Sequence, residues 1–178
     1  GRRSVPDGRV EISIDFESWQ ETLLNYQELA TKAIEQITKN VNEGKALQNF
    51  SHLELSIVLC DDALIHKLNN DYRMQNKPTN VLSFPGLTAE QIDEYLIGGK
   101  GPPEGPYSLG EIYIAYETIV QEAQVSDIKV ENHFTHLIIH GVLHLLGFDH
   151  VEDAQADEME RIETKLLGYL GVDDPYAA

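Results

Sequence analysis

The sequence predicts an α+β fold of one domain, in which a small mixed β-sheet packs with about five helices and a metal site lies on a helix and the turn following it. Length is the first reason. At 178 residues and 42% hydrophobic, the chain can bury one real core. The second reason is the order of the hydrophobic patterns. Period-two and helical stretches follow one another without a regular strand–helix–strand rhythm, and several strands are joined by short connections, which favours α+β over a doubly wound sheet. The third is a run of histidines, five of the seven lying between positions 133 and 150.

Residues 1–8 are expected to be a flexible lead, because Arg2-Arg3 is followed by no apolar core of the kind an export signal needs. A single metallohydrolase-like domain is expected over 9–178. Pro6 and Gly8 mark a turn, after which Val10, Ile12 and Ile14 alternate as a strand. Trp19, Leu23, Tyr26, Ala30, Ala33, Ile34, Ile37 and Val41 recur at three or four, the stripe of one helix capped by Ser18 and followed by Gly44. Leu53, Leu55, Ile57 and Leu59 form a second strand, and Asp61 or Asp62 caps a short helix bearing Leu64, Ile65 and Leu68. Val81 to Phe84 reads as a short strand which Pro85 stops, and a proline-bounded strand belongs at a sheet edge. Residues 86–107, rich in glycine and proline, read as a surface insertion with about one helical turn at Ala89 to Leu96. Leu109 to Tyr116 is the last strand; Glu117 to Gln124, Val130 to Leu146 and Ala154 to Leu170 are helices.

Composition narrows the function classes. The balance of 13 basic against 30 acidic residues, a net charge of −17, disfavours nonspecific nucleic-acid binding. From Asp62 to Gly86, however, Lys67, Arg73 and Lys77 face only Asp62 and Asp71, so a phosphate can be received there. The single cysteine, Cys60, has no internal partner, which points to a reducing, cytoplasmic setting. The most apolar stretch, Leu137 to Phe148, is interrupted by His140 and His144 and does not make a membrane span.

Those two histidines are four apart, and on a helix such positions project from one face on successive turns. Gly147 permits a left-handed helix ending, and the reversed chain then brings His150 toward the same point. Three neutral imidazoles leave tetrahedral zinc one open position for water, the catalytic rather than the structural arrangement. Nickel, copper and ferrous iron also suit such donors. The string resembles the zinc signature of metzincin peptidases, H-E-x-x-H-x-x-G-x-x-H, except that Gly141 stands where they place the glutamate base. Peptide hydrolysis by that mechanism is disfavoured.

Leu68-Asn69-Asn70-Asp71-Tyr72-Arg73, Lys77-Pro78-Thr79-Asn80-Val81-Leu82-Ser83-Phe84-Pro85, Leu109-Gly110-Glu111-Ile112 and Thr135 to His150 together resemble the YbeY family, bacterial rRNA maturation factors described as single-strand endoribonucleases. The resemblance implies an α+β fold, one zinc ion on His140, His144 and His150, and a functional arginine at Arg73. It also implies action on ribosomal RNA, notably the 3′ end of the small-subunit rRNA, and a role in ribosome quality control. The expected partners are ribosomal RNA, the small ribosomal subunit or its proteins and an assembly GTPase, with no membrane. Two departures stand out: Glu111 replaces the aspartate of many members, and the segment 86–107 is longer and richer in glycine and proline than expected.

The neighbouring residues carry weaker signals. Arg73 offers a planar fork of donors for a phosphate, whereas Lys77 reads as a solvated loop residue and Tyr72 as core. Asn80 and Ser83 could serve the turn backbone or the metal environment, and the turn is favoured. Asp149 could orient an imidazole or accept a proton, the former being the commoner use of such a carboxylate, and His136 either supports the metal site or is a satisfied helix histidine. The acidic run Glu152, Asp153, Asp157, Glu158, Glu160 and Glu163 reads as a solvated face turned away from substrate. A noncatalytic assembly factor stapled by zinc is the alternative function.

Overall fold

A computed structural model describes residues 9–177; the expected flexible lead, 1–8, lies outside the described residues. The alternating segments form four strands: β1 (Arg9–Ile14), β2 (His52–Cys60), β3 (Val81–Pro85) and β4 (Pro106–Ala115). They make one mixed sheet in the order β1-β2-β4-β3. β1 and β4 both run parallel to β2, while β3 pairs antiparallel with β4 at the edge where its terminal proline placed it.

Period two sorts the side chains between the faces of this sheet. Leu53, Leu55, Ile57 and Leu59 of β2 and Ile112 and Ile114 of β4 are buried in the main core, beneath α2 (Tyr26–Asn40), α7 (Val130–Leu145) and α8 (Asp153–Tyr169). Cys60, Leu82 and Ala115 belong to a second, smaller cluster with Ile65 of α4 (Asp62–Arg73). α6 (Tyr116–Val125) packs against α7 and leads into it. Three shorter helices, α1 (Ser18–Thr22), α3 (Asn42–Lys45) and α5 (Ala89–Gln91), complete the α+β arrangement, in which five helices have ten residues or more. Among the described residues no helix is long and apolar enough to cross a membrane.

Three details differ from the sequence expectations. The helix expected from Trp19 to Val41 is two, because Leu23 leaves helical geometry (φ −134°, ψ 76°), and Glu17 rather than Ser18 precedes the first. The expected short helix after Asp61 runs three full turns to Arg73, and Asp61 caps it by accepting from the Leu64 amide at 2.9 Å. In the glycine-rich segment, α5 continues into a π-helical turn over Ile92–Ile97. Leu87 and Leu96 of that segment are buried, and Tyr95 and Tyr107 stack edge-on against Phe50, so its two ends are anchored on the core.

Candidate metal centre

Nine residues of α7 are buried, including Phe134, Ile138, Ile139, Val142 and Leu145, so the helix is fixed in rotation on the sheet. Its remaining stripe carries the histidines. Past Leu145 the chain reverses: the Phe148 amide donates to Leu143 O at 3.1 Å and the Gly147 amide to His144 O at 3.0 Å, with Gly147 at φ +105°. This is the Schellman ending that a glycine at the first residue beyond the helix cap permits. The reversal delivers His150.

One ring nitrogen each from His140, His144 and His150 lies within 4.8 Å of the others, a group that could hold a metal ion. Nε2 of His140 and Nε2 of His144 are 3.2 Å apart. Tetrahedral zinc with nitrogen ligands at about 2.0–2.1 Å sets two donors about 3.3–3.4 Å apart, so these atoms fit one edge of such a site. Burial and the adjacent His140 and His150 push the His144 imidazole down to about 4. It is therefore neutral at pH 7, as a ligand must be.

His133 and His136 lie outside this trio, and each pairs with a carboxylate. Nε2 of His133 meets Glu122 Oε1 at 2.8 Å, and His136 Nε2 donates to Glu163 Oε1 at 2.8 Å. Glu163 also receives Nδ1–H of His140 on Oε2 at 2.6 Å and the Tyr176 hydroxyl on Oε1. Its side chain is 0% exposed, which corrects the expectation that the whole acidic run is solvated and faces away from the site. Burial works to raise this carboxyl, but the hydrogen bonds from His136 and His140 outweigh it and hold it down to about 2. Burial, then the Glu163 carboxylate, pushes the Tyr176 hydroxyl well above its ordinary value, so it stays a donor. The sequence carried a signal for Glu163: it lies four residues after Met159 and three before Leu166, on the apolar stripe of α8. A carboxylate on a buried stripe needs a partner. Tyr176 carried no comparable signal.

The expected role of Asp149 is corrected in the same way. Its Oδ1 accepts the His150 amide at 2.7 Å, and the carboxylate that orients an imidazole is Glu163. Asn80 and Ser83 also depart from the turn-bonding expectation. Asn80 Nδ2 donates to Glu122 on α6 at 3.0 Å, and Ser83 Oγ donates to Gly141 O on α7 at 3.1 Å. Tyr72 is 64% exposed, edge-on to Phe84, rather than in the core. Glu111 is exposed on β4 and alternates with the buried Ile112, which puts it on the sheet face away from α7 and the histidines. The side chain of Lys77 is in an exposed loop.

Arg73, in the last turn of α4, reaches across the edge strand. Its Nη2 donates to Ser83 O at 2.9 Å and its Cζ lies 4.9 Å from the centre of the Phe84 ring, so the guanidinium is held from two sides. Arg73, His140, His144 and His150 line one cleft of about 650 Å³, with Ser83 and Pro85 of β3, Leu87, Ala89 and Ile92 of the glycine-rich segment and Phe148 of the reversal. A fixed cation and three converging imidazoles lining one cleft suit an anionic substrate that is to be polarised.

The sequence profile of the family described as Endoribonuclease YbeY matches residues 13–171. An endoribonuclease YbeY of Paramagnetospirillum magneticum is 49% identical over 124 residues, 70% of this chain and 71% of its own. That of Erythrobacter litoralis is 41% identical over 168 residues, 94% of this chain and 98% of its own. A solution structure from Thermotoga maritima, 21% identical and covering 96% of this chain and 100% of that one, aligns with a TM-score of 0.50 and shows a shared fold. With a matching profile over most of its length and relatives at this level of identity, the chain belongs to the YbeY endoribonuclease family.

Proposed function

We propose that this chain is a zinc-dependent single-strand endoribonuclease of the cytoplasm, acting in rRNA maturation at the 3′ end of the small-subunit rRNA and in ribosome quality control. The observation that carries the proposal is the shared cleft, lined by Arg73 together with His140, His144 and His150. The three histidines would hold the ion, which when bound supplies Lewis acidity toward a phosphoryl oxygen and acidifies a water. Arg73 binds the scissile phosphate and stabilises the charge that develops on it, its plane already set by Ser83 O and the Phe84 ring. Ile92, Leu87 and Phe148 give the cleft an apolar part of its lining.

The net charge of −17 makes long-range attraction to bare RNA weak, so the substrate is delivered by partners. These are the small ribosomal subunit or its proteins and an assembly GTPase, with ribosomal RNA as the target. Cleavage of a small-subunit rRNA precursor tests the proposal, using wild type and identically purified Arg73→Ala and His144→Ala with metal content measured on the same samples. The expectation is about one zinc per chain in wild type and a rate at least about 100-fold lower in Arg73→Ala, the scale of losing one transition-state donor. Equal cutting by all three would assign the activity to a contaminant. A metal-dependent melting temperature with intact RNA would instead favour a zinc-stapled assembly factor.

A further inference from the structure

Glu163 is a carboxylate with 0% exposure, held by three donors from two segments: His140 and His136 on α7 and Tyr176 in the C-terminal segment. We propose that Glu163 is the positioning residue of the metal centre, and that Tyr176 holds Glu163 in place, so that His140 is fixed with its proton on Nδ1 and its Nε2 lone pair free to ligate. The inference rests on the metal-site reading above and assigns roles to two residues outside the ligand set.

The argument is one of donors and acceptors. An ionised carboxylate can only accept, so the 2.6 Å contact between Glu163 Oε2 and His140 Nδ1 requires the hydrogen on Nδ1. A neutral imidazole has one N–H, and Nε2 is then left with its lone pair. That nitrogen is the one that faces Nε2 of His144 at 3.2 Å. The other oxygen, Oε1, is already taken by His136 Nε2–H and the Tyr176 hydroxyl, so the carboxylate cannot turn to serve His140 differently. The side chain is fully buried, so an unpaired carboxylate there would be strongly disfavoured. Such outer carboxylates fix the tautomer and ring orientation of a metal-ligating histidine.

Tyr176 is itself placed by a small turn. Asp174 Oδ1 accepts the Tyr176 amide at 2.8 Å and the Thr164 hydroxyl of α8 at 3.1 Å, and the Tyr176 ring stands edge-on to His136 at 5.5 Å. Tyr176 thereby docks the C-terminal segment beside the centre. Its docking and the orientation of His140 form one hydrogen-bonded network.

The isosteric Glu163→Gln variant gives an opposite expectation for the tautomer. His136 and Tyr176 continue to claim an oxygen, which leaves the amide nitrogen facing His140 and makes Nδ1 accept; the proton then moves to Nε2, where it blocks ligation. The experiment uses the full chain labelled with ¹⁵N, first stripped of metal. Long-range ¹H–¹⁵N spectra are expected to show His140 as the Nδ1–H tautomer in wild type and Tyr176→Phe, and as Nε2–H in Glu163→Gln. Zinc titration against a chromophoric chelator is expected to show about 10- to 100-fold weaker binding in Glu163→Gln, and a smaller loss of the same sign in Tyr176→Phe. A merely structural Glu163 would lower the melting temperature of the metal-free protein and leave zinc affinity unchanged, which overturns the proposal. Zinc binding by a wild type whose His140 carries its proton on Nε2 overturns it with no variant needed, so a misfolded Glu163→Gln does not shield it. If wild type binds no zinc, or His144→Ala binds it as tightly, the metal-site reading falls and this one with it.

Discussion

A methyl group built on Gly141 would lie 3.1 Å from two carbons of Ile112 and 3.2 Å from Ser83 Oγ, where α7 crosses the sheet. The sequence registers Gly141 as the missing glutamate of a peptidase; the structure gives the steric reason, since that position faces β3 and β4 and admits no longer side chain. Gly147 is constrained differently. It combines φ +105° with an approach of 2.9 Å between a built Cβ and Ile92 Cγ2. Gly147→Ala is therefore expected to lose about 1–3 kcal/mol of stability in urea denaturation and to weaken zinc binding by displacing His150. Unchanged values for both would remove the turn from the account of the site. At this scale the three histidines were legible because helix spacing and a glycine reversal are local. The sequence puts Glu163 on the apolar stripe of α8, but its partners on α7 depend on where the two helices meet.

Elements with one continuous hydrophobic period, such as α7, α8 and β2, were readable almost to the residue. The break between α1 and α2 was not. Leu23 stays buried at 1% while Leu24 is 84% exposed, so the apolar stripe is continuous across three nonhelical residues and periodicity cannot register the interruption. What fixes the break is tertiary: Trp19 Nε1 donates to Cys60 O at 2.8 Å, tying the first turn to the end of β2. α4 shows the converse, a local signal with a distant effect. Its cap at Asp61 begins the helix whose last turn presents Arg73 to the cleft, with Met74 ending it at φ 57°. Asp61→Ala should cost about 1 kcal/mol, the usual value of a side-chain cap, measured by chemical denaturation. Because the strand edge also holds Arg73 through Ser83 O, zinc affinity should be unaffected, which separates the helix from the metal centre.

For the whole molecule, an excess of 17 negative charges is uninformative about the fold, and the dependence of stability on pH turns on groups the fold buries. Two buried groups of the site set the windows. His144 is held neutral in the folded protein down to about 4 and titrates near 6.5 when unfolded, so between those values the unfolded chain binds the extra proton. Stability rises with pH wherever the unfolded state binds more protons. As pH falls from about 6.5 to 4, this contribution is therefore lost. Glu163 repeats the sign lower down: its carboxyl is held at about 2 against 4.5 unfolded, so the stability that is fully present above 4.5 is lost as pH falls toward 2. The windows adjoin, and protein stripped of metal should show a melting temperature that declines in two successive steps. His144→Asn should remove the upper step and Glu163→Gln the lower, each leaving the other in place. A wild-type melting temperature that stays level between pH 6.5 and 4 would show that His144 is not held neutral by its surroundings.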